Sequence, residues 1–324
     1  MRLTPHRPTS SCGPRPVPGM SGDIRRVFVT GAAGLLGSAV VDHLHANGIA
    51  VTALLAAPAK TSETTVDRVV VGDMRDVDVV RAGLSGADAV IHCAALRAPM
   101  MGTPQEVFLG NTAGTFTVLQ EAAAAGIRRA VIASSYSALG LTFAPVTRAP
   151  AYLPIDEQIP LLPEDPYALS KVVDEETARY MARRHGMSVV ALRFPFLGDL
   201  DGSIRERSEM LTRDPAARNG SRELWTYLDR RDAARACLLG LTRPVSGAHA
   251  VLLGAPTTLV PYPTEQLLDR YHPGVERRRS FPGRAAAFDL DLARDLLGFE
   301  AEHVLDLAPV DLDPAALPPV VGAA

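Results

Sequence analysis

The feature that most constrains the fold of this chain is a glycine-rich turn near its N-terminus. The run Arg25–Thr30 is rich in β-forming residues, and Gly31, Gly34 and Gly37 follow it at intervals of three, ahead of a segment whose apolar residues recur every four positions. This is the strand–turn–helix context of a dinucleotide-binding fingerprint. Gly31 would allow the tight turn, Gly34 the approach of a pyrophosphate, and Gly37 close packing of helix on strand. The alternative is a glycine-rich connection that binds nothing.

The segments after this turn alternate between short apolar runs and helical stretches. The predicted strands are Ala50–Leu55, Arg68–Val71, Ala89–His92, Ala130–Ala133 and Val189–Phe194, and the predicted helices are Pro104–Ala125 and Pro166–His185. Such alternation predicts an α/β fold, a Rossmann-type doubly wound parallel sheet covered by helices on both faces. Ligands of such sheets bind beyond the carboxyl ends of the strands. The glycine turn, Asp73 and Ser135 all fall at such ends.

A smaller C-terminal substrate lobe is expected to follow this core. Beyond the last core strand the sequence predicts helices at Leu228–Thr242 (starting near Asp229), Thr264–Tyr271 and Asp289–Leu297, and a strand at Ala248–Leu253. Thr264 is the expected N-cap of its helix. The stretch Ile204–Glu223 is rich in arginine, and we interpret it as a substrate lid.

A tyrosine and a lysine four residues apart suggest proton-transfer chemistry. Tyr167 and Lys171 would lie on one face of the helix Pro166–His185. A nearby ammonium stabilises a phenolate, and a tyrosine in that setting can exchange a proton with a hydroxyl or carbonyl oxygen. The spacing is common by chance, so a surface Tyr and Lys is the alternative. The glycine turn and the serine pair Ser134–Ser135 favour the catalytic interpretation.

Taken together, these segments resemble the extended short-chain dehydrogenases/reductases, the NAD-dependent epimerase/dehydratase family. The matching motifs occur in family order over about residues 24–240. They are TGAAGLLG (Thr30–Gly37), GDMRD (Gly72–Asp76), HCAAL (His92–Leu96), NTAGT (Asn111–Thr115), SSYSALG (Ser134–Gly140), YALSK (Tyr167–Lys171), LRFPFLGD (Leu192–Asp199) and LWTYLDRRDAARA (Leu224–Ala236).

The resemblance implies a role for each matching residue. Tyr167 would be the acid/base, Lys171 would bind the nicotinamide ribose, and Ser135 would bind the reacting oxygen. The resemblance implies NAD or NADP as the cofactor. The residues expected to bind it are Gly31, Gly34, Leu35, Leu36, Gly37, Asp73, Met74, Ala94, Ala95, Asn111, Ser134, Tyr167, Lys171 and Pro195.

Departures from the family pattern reduce the number of candidate substrate classes, but they do not decide between NAD and NADP. The second strand ends Leu54-Leu55-Ala56, without the acid that NAD-preferring relatives place there, and Lys60 is the nearest cation. No acid pair follows Ser135, which disfavours a dehydratase. Trp225 occupies the position of the diphosphate-binding arginine, and the segment before it is short, which weakens the nucleotide-sugar epimerase. The substrate candidates are Arg97, Ser137, Phe196, Arg222 and Trp225.

Three functions remain open from the sequence. The leading one is an NAD(P)-dependent oxidoreductase that moves a hydride between nicotinamide and a small hydroxyl or keto substrate, with a sugar-like molecule among the candidates. The second is a redox-neutral sugar or nucleotide-sugar epimerase. The third is a dinucleotide-binding sensor without catalysis, which the presence of Ser135, Tyr167 and Lys171 disfavours. Substrate, direction and cofactor stay undecided.

Composition restricts the partners and the compartment. The formal net charge of −3 gives no sign of a nucleic-acid partner. No run approaches the length of a membrane span, and three scattered cysteines fit a reducing cytoplasm. Neither the cysteines nor the eight histidines have metal-ligand spacing, so we expect no metal. A small-molecule substrate and a homodimer are the expected partners.

The chain is expected to divide into four regions. Residues 1–22 are Pro-rich and basic and are predicted to be a disordered extension, with Met20 an alternative start. Residues 23–195 form the predicted Rossmann core, to which later residues contribute. Residues 196–310 form the predicted mixed substrate-binding lobe, and residues 311–324 a flexible tail.

Overall fold

A seven-stranded parallel sheet forms the centre of the protein. The computed structural model describes residues 24–57 and 66–313. In sheet order, the strands are β10 (Ala248–Leu252), β7 (Ser188–Phe194), β5 (Arg129–Ser135), β4 (Ala89–His92), β1 (Arg26–Thr30), β2 (Ala50–Leu55) and β3 (Arg68–Val71). The order reverses beside β1, as in doubly wound dinucleotide-binding folds. The predicted fold class is confirmed. The expected extension 1–22, Lys60 and residues 314–324 lie outside the described residues.

Helices cover both faces of this sheet. The helices are α1 (Leu35–Ala46), α2 (Val77–Leu84), α3 (Pro104–Ala124), α4 (Pro166–His185) and α6 (Arg230–Thr242). Side chains of β1 alternate between the faces, because successive residues of a strand point in opposite directions. Val27 and Val29 pack with α1 and α6, whereas Phe28 packs with α2, α3 and α4. Burial on both sides explains the nearly continuous apolar runs of the central strands, whereas the edge strand β3 is largely exposed.

The two long helices begin and end where their sequence signals indicate. Thr103 and Glu106 form a capping box at the start of α3. At the start of α4 the Asp165 side chain accepts hydrogen bonds from two backbone amides, and Pro166 occupies the first turn. Gly186 ends α4 in the left-handed conformation. These signals fix the position of α4 along the edge of the cleft described below.

A second, smaller lobe lies beyond the carboxyl end of the sheet. It contains the short parallel pairs β6 (Tyr152–Leu153) with β11 (Glu276–Arg277), and β8 (Phe196–Gly198) with β9 (Tyr227–Asp229), together with the helices α5 (Arg205–Arg213) and α7 (Thr264–Tyr271). Its core includes Tyr136, Trp225, Phe281 and Phe288, all buried. The chain crosses between lobes more than once, because α6 and β10 return to the central sheet.

Several predicted elements are corrected by the structure. The helix α2 was not predicted, because Gly72–Asp76 was interpreted only as a turn. The helix predicted to start near Asp229 does so, with Asp229 as the N-cap of α6, whereas Leu228 belongs to strand β9. Thr264 is not an N-cap. Pro263 precedes the helix, and the Thr264 hydroxyl donates instead to the Ala285 carbonyl. The predicted helix Asp289–Leu297 is chiefly a turn of π-helix over Ala293–Leu297.

None of the helices in residues 24–57 and 66–313 is both long enough and apolar enough to cross a bilayer.

Candidate active site

A cleft of about 1640 Å³ runs along the carboxyl ends of the parallel strands. Its walls include the glycine turn after β1 and the ends of β2, β4 and β5, with α4 along one side. Pockets for one drug-sized ligand measure about 300–1,000 Å³. The cleft therefore has room for a dinucleotide and a small second molecule together, at the position where doubly wound sheets bind ligands.

Two of the three glycines of the turn occupy positions that exclude a side chain. Gly31 has φ of +68°, and a Cβ there would lie 2.7 Å from the Ala94 backbone nitrogen. A Cβ on Gly37 would lie 2.1 Å from the Gly31 carbonyl oxygen, so helix and turn are in direct contact. Gly34 is different, because its φ of −80° suits any residue and its Cβ would meet only the Gly31 oxygen at 3.2 Å.

This geometry fits a bound pyrophosphate. Gly34 lines the cleft, and apart from its tight 3.2 Å approach to the Gly31 oxygen a side chain there would extend into open space. No side chain caps the start of α1, and its first turn contains no acid. The amides at a helix N-terminus and the helix dipole attract a phosphate. Leu35, Leu36 and the glycines would hold it through their backbone.

The wall formed after β3 contains Asp73 and Met74, as predicted, and also Arg75. The Asp73 carboxylate accepts from the Arg75 amide at 2.8 Å and from its Nε at 2.9 Å. The hydrogen bond from the Arg75 side chain is the main reason that the pKa of Asp73 is lowered. Met74 packs on α3, where a Cβ on Gly114 would lie 2.6 Å from the Met74 Cε. Arg75 was not predicted, because only Asp73 and Met74 of the GDMRD motif were expected to bind the cofactor.

Among the described residues, the end of β2 presents only apolar side chains to the cleft. Leu55 is 6 % exposed, and it lines the cleft together with Leu54 and Ala56. Arg75 lines the same cleft, although it is paired with Asp73. Within the described part of the chain, an adenosine ribose at this end would therefore meet apolar side chains and the paired Asp73 and Arg75.

Asn111 tethers the loop that follows β4. Its Oδ1 accepts from the Leu96 amide at 2.8 Å, and its Nδ2 donates to the Leu96 carbonyl and to the Ser170 hydroxyl, both at 3.0 Å. The contacts bind α3, the loop and α4 together. They hold Ala94 and Ala95 at the wall of the cleft.

Ser135, Tyr167 and Lys171 meet at the centre of the cleft. Ser135 ends β5, and the other two lie one turn apart on α4, all three lining the cleft and at most 9 % exposed. The Lys171 Nζ lies 5.8 Å from the centre of the Tyr167 ring. The Ser135 Oγ accepts from the Ser137 amide at 3.0 Å, which fixes its orientation. The spatial grouping expected from the sequence is present.

Lys171 keeps its charge in spite of burial. Removal from water disfavours the ammonium, yet Asp174 and Tyr167 oppose that effect, so the pKa of Lys171 is raised. Its Nζ donates to the Ala133 carbonyl at 3.0 Å and to the Asp174 Oδ2 at 3.1 Å. Asp174 was not predicted, because its role depends on tertiary packing around the helix.

Ser134 lines the cleft, but its hydroxyl is used by the protein. It donates to the Glu175 Oε1 at 2.7 Å, and Arg193 donates two hydrogen bonds to the same carboxylate, each at 2.8 Å. All three side chains are buried. Any contact of Ser134 with a cofactor would therefore use its backbone or the remaining acceptor of the hydroxyl.

Aromatic and hydroxyl side chains line the end of the cleft near the second lobe. They are Ser137, Phe143, Phe196 and Ser203, and the exposed Arg97 also lines the cleft. Pro195, the residue before Phe196, lines the cleft as well. The predicted candidates Arg97, Ser137 and Phe196 thus face the cleft.

An acidic residue that the sequence analysis missed, Glu223, completes this wall. Its Oε2 accepts from the Arg207 Nη2 at 2.8 Å, and the Arg207 guanidinium lies 4.5 Å from the centre of the Phe196 ring. Burial raises the pKa of Glu223 to about 7, although Arg207 favours the ionised form. The only sequence signal was its place at the end of the basic segment Ile204–Glu223.

Two predicted substrate residues do not line the cleft. Trp225 is 1 % exposed in the core of the second lobe, and its Nε1 donates to the Pro215 carbonyl at 2.8 Å. Arg222 donates to the Ala144 carbonyl and the Thr147 hydroxyl, both at 2.7 Å. Leu224 and Trp225 have φ of 50° and 54°. This left-handed turn directs the indole into the core and leaves Glu223 at the cleft, so the prediction for Trp225 and Arg222 is wrong.

Within residues 24–57 and 66–313, no three potential metal ligands cluster together.

Comparison with known proteins identifies the family. The sequence matches the profile of the NAD dependent epimerase/dehydratase family over residues 27–254, and the chain belongs to that family. A short-chain dehydrogenase/reductase superfamily protein from Agrobacterium tumefaciens, crystallised with bound NAD, is 28% identical with a TM-score of 0.63, over 86% of this chain and 92% of the other. The predicted family and its NAD(P) chemistry are confirmed.

Curated relatives include both epimerases and dehydrogenases. A putative UDP-glucose 4-epimerase of Methanocaldococcus jannaschii is 34% identical over 173 residues, 52% of this chain and 54% of the relative. An L-arabinose 1-dehydrogenase (NAD(P)(+)) of Haloferax volcanii is 34% identical over 190 residues, 57% of this chain and 71% of the relative. The chain spans about half the length of the epimerase relative. The family is therefore one of NAD-dependent enzymes with both redox and epimerase members.

Proposed function

We propose that this protein is an NAD(P)-dependent dehydrogenase or reductase that acts on a small hydroxyl or keto substrate of sugar-like character. The observation that carries the proposal is the meeting of Ser135, Tyr167 and Lys171 in one cleft, with the Lys171 Nζ 5.8 Å from the Tyr167 ring. A glycine turn suited to a pyrophosphate lies in the same cleft. Proton transfer and dinucleotide binding are thereby combined in one site.

The protein's own residues would carry the proton. When bound, the nicotinamide would accept or supply the hydride at the substrate carbon. Tyr167 would take the proton of a substrate hydroxyl during oxidation, or give a proton to a carbonyl oxygen during reduction. Ser135 would donate a hydrogen bond to that oxygen, and Lys171 would stabilise the phenolate and bind the ribose. Gly31, Gly34, Gly37 and the wall at Asp73 would hold the dinucleotide.

The charge of the substrate end favours an uncharged, hydroxylated molecule. Glu223 and Asp199 both line this end, and Asp199 is paired with Arg230. A carboxylate accepts hydrogen bonds from hydroxyl groups, whereas it repels a phosphate at close range. The position at which the family places a diphosphate-binding arginine is the buried Trp225. The name of the L-arabinose dehydrogenase relative likewise points to a free sugar.

A redox-neutral epimerase is the second candidate. It is favoured by the curated UDP-glucose 4-epimerase among the relatives, and the same tyrosine and lysine would serve it. The two candidates differ in one observable: reduced nicotinamide accumulates during turnover by a dehydrogenase and does not accumulate during turnover by an epimerase. A nucleotide sensor without catalysis would show binding and no turnover.

The proposal is tested by a substrate screen with both dinucleotides. Wild-type protein is incubated with NAD or NADP and panels of free aldoses, small alcohols and UDP-sugars, and the absorbance of reduced nicotinamide is followed. Tyr167→Phe is the matched control. We expect accumulation with a free hydroxylated substrate in the wild type alone. Conversion of a UDP-sugar without accumulation would favour the epimerase, and binding without any turnover would favour the sensor. The homodimer and the cytoplasmic location stay predictions.

A further inference from the structure

The catalytic lysine has a buried counter-ion on its own helix. Asp174 lies three residues after Lys171 on α4, and the Lys171 Nζ and Asp174 Oδ2 are 3.1 Å apart. The side chains are 3 % and 2 % exposed. Water therefore screens the pair poorly, and each charge strongly affects the other.

The contacts of Lys171 leave one donor for the cleft. An ammonium carries three N–H donors. One is used on the Ala133 carbonyl and one on the Asp174 carboxylate. The third is left to face the cleft, which Lys171 lines. Asp174 therefore helps to fix the direction in which the remaining N–H points.

A purely structural role explains this carboxylate poorly. A buried charge is costly unless it is paired and hydrogen-bonded, and well-packed apolar residues often replace buried ion pairs without loss of stability. Asp174 is only partly satisfied. Its Oδ1 has no hydrogen bond of ordinary geometry among the described residues, although the Thr115 hydroxyl is near enough to favour the ionised form. Burial is the main influence and raises the pKa of Asp174, against the effect of Lys171.

We propose that Asp174 is a positioning residue that orients Lys171, offsets part of its charge, and thereby sets the pH range in which Tyr167 exchanges its proton. The inference rests on the proposed function, in which Tyr167 is the acid/base. The positive charge of Lys171 favours the Tyr167 phenolate, and the negative charge of Asp174 opposes that effect. Removal of the carboxylate should let the phenolate form at lower pH.

The other groups around the pair do not supply the same counter-charge. The groups that face it from α4 and from the neighbouring elements are Tyr167, Glu175, His92, Cys93, Thr115 and the Ala133 carbonyl. Burial, with a smaller effect of Lys171, lowers the pKa of His92 to about 3, so its ring is neutral. Glu175 is engaged by Arg193. Asp174 is thus the carboxylate in direct contact with Lys171.

The test compares Asp174→Asn with Glu176→Gln, which removes a carboxylate from an exposed position of the same helix. The first measurement is the pH dependence of kcat/KM for alcohol oxidation. The second is an ultraviolet difference titration of the tyrosines, with Tyr167→Phe subtracted, which needs no substrate. We expect Asp174→Asn to move the acid limb of the profile and the Tyr167 titration to lower pH by about one unit or more. Glu176→Gln should move neither, and Asp174→Glu should preserve the wild-type profile.

The outcomes separate this inference from the proposed function. An unchanged profile and an unchanged titration in folded Asp174→Asn would overturn the role of Asp174 while leaving the oxidoreductase intact. A shifted titration in a protein without any dehydrogenase turnover would support the electrostatic role and contradict the proposed function. If Asp174→Asn does not fold, Asp174→Ser removes the same charge with a smaller side chain. The Tyr167 titration of that variant then tests the electrostatic role of Asp174 in the same way.

Discussion

The Glu223 carboxylate lies 2.8 Å from the Arg207 guanidinium, which in turn covers the face of the Phe196 ring. Three segments, β8, α5 and the left-handed turn before β9, thereby bring an acid, a cation and an aromatic ring to one wall of the cleft. Only the Oε2 atom of Glu223 has a hydrogen bond to Arg207. The Glu223 side chain is 15 % exposed and lines the cleft, so it is accessible to a substrate bound there.

Glu223→Gln should weaken substrate binding more than it slows chemistry. With the pKa of Glu223 at about 7, the carboxylate is ionised above that pH and accepts hydrogen bonds there, whereas it is protonated below. We expect the wild-type KM to rise as pH falls through 7, and Glu223→Gln to have a raised KM without that dependence. Steady-state kinetics between pH 6 and 8 (a span of about one unit on each side of the pKa) measure both. A KM equal to that of the wild type would show that substrate does not reach Glu223.

Tyr167→Phe should abolish most turnover while cofactor binding persists. The substitution keeps the ring that packs edge-on against Phe143 and removes the ionisable hydroxyl. General acid–base catalysis contributes about 10²–10⁴-fold, and we expect a loss in kcat of that size. Dinucleotide titration by fluorescence serves as the control for an intact cleft. Activity within a few-fold of wild type would remove Tyr167 from the mechanism.

Gly34→Val should prevent dinucleotide binding without unfolding the protein. The φ of −80° at Gly34 accommodates a side chain, and its Cβ would meet only the Gly31 oxygen. The branched side chain would instead fill the space for the pyrophosphate. Ser38→Val places the same group on a residue of α1 that does not line the cleft and is the matched control. Calorimetric titration with dinucleotide and thermal unfolding are the measurements. Normal affinity in folded Gly34→Val would mean that the turn is only a tight connection.

Leu55→Asp should shift cofactor preference toward NAD. Leu55 ends β2 at the wall of the cleft and bears no charge. A carboxylate there can accept from both ribose hydroxyls and would repel a 2′-phosphate. Dissociation constants for NAD and NADP in wild type, Leu55→Asp and the neutral Leu55→Asn separate charge from size. An unchanged NAD to NADP ratio would show that the ribose lies elsewhere.

The core of the fold could be predicted because local signals and tertiary packing agree there. The bounds of Ala50–Leu55, Arg68–Val71 and Ala89–His92 match the structure, since each apolar run is bounded by turn-forming or polar residues. The helix Pro166–His185 likewise matches, with Asp165 and Gly186 at its ends. Ala50–Leu55 and Ala89–His92 are central strands buried on both faces, which makes their sequences distinct, whereas Arg68–Val71 is an exposed edge strand.

The walls of the cleft could be predicted only in part. The sequence predicted Ser135 from its place at the end of a strand. It predicted Tyr167 and Lys171 from their spacing of four residues on one helix. Glu223 was missed and Trp225 was misplaced because two successive residues with positive φ reverse which side chain faces the cleft. Only the folded backbone contains that information.

The most direct test of the account is the stoichiometry between substrate consumed and nicotinamide reduced. Wild-type protein is given excess NAD or NADP and a limiting amount of the free hydroxylated substrate that the screen identifies, and both quantities are measured at completion. The account predicts one reduced nicotinamide for each substrate molecule oxidised, and neither product in Tyr167→Phe. Conversion of substrate to an isomer without net reduction of nicotinamide would contradict the account and assign the protein to the epimerases of its family.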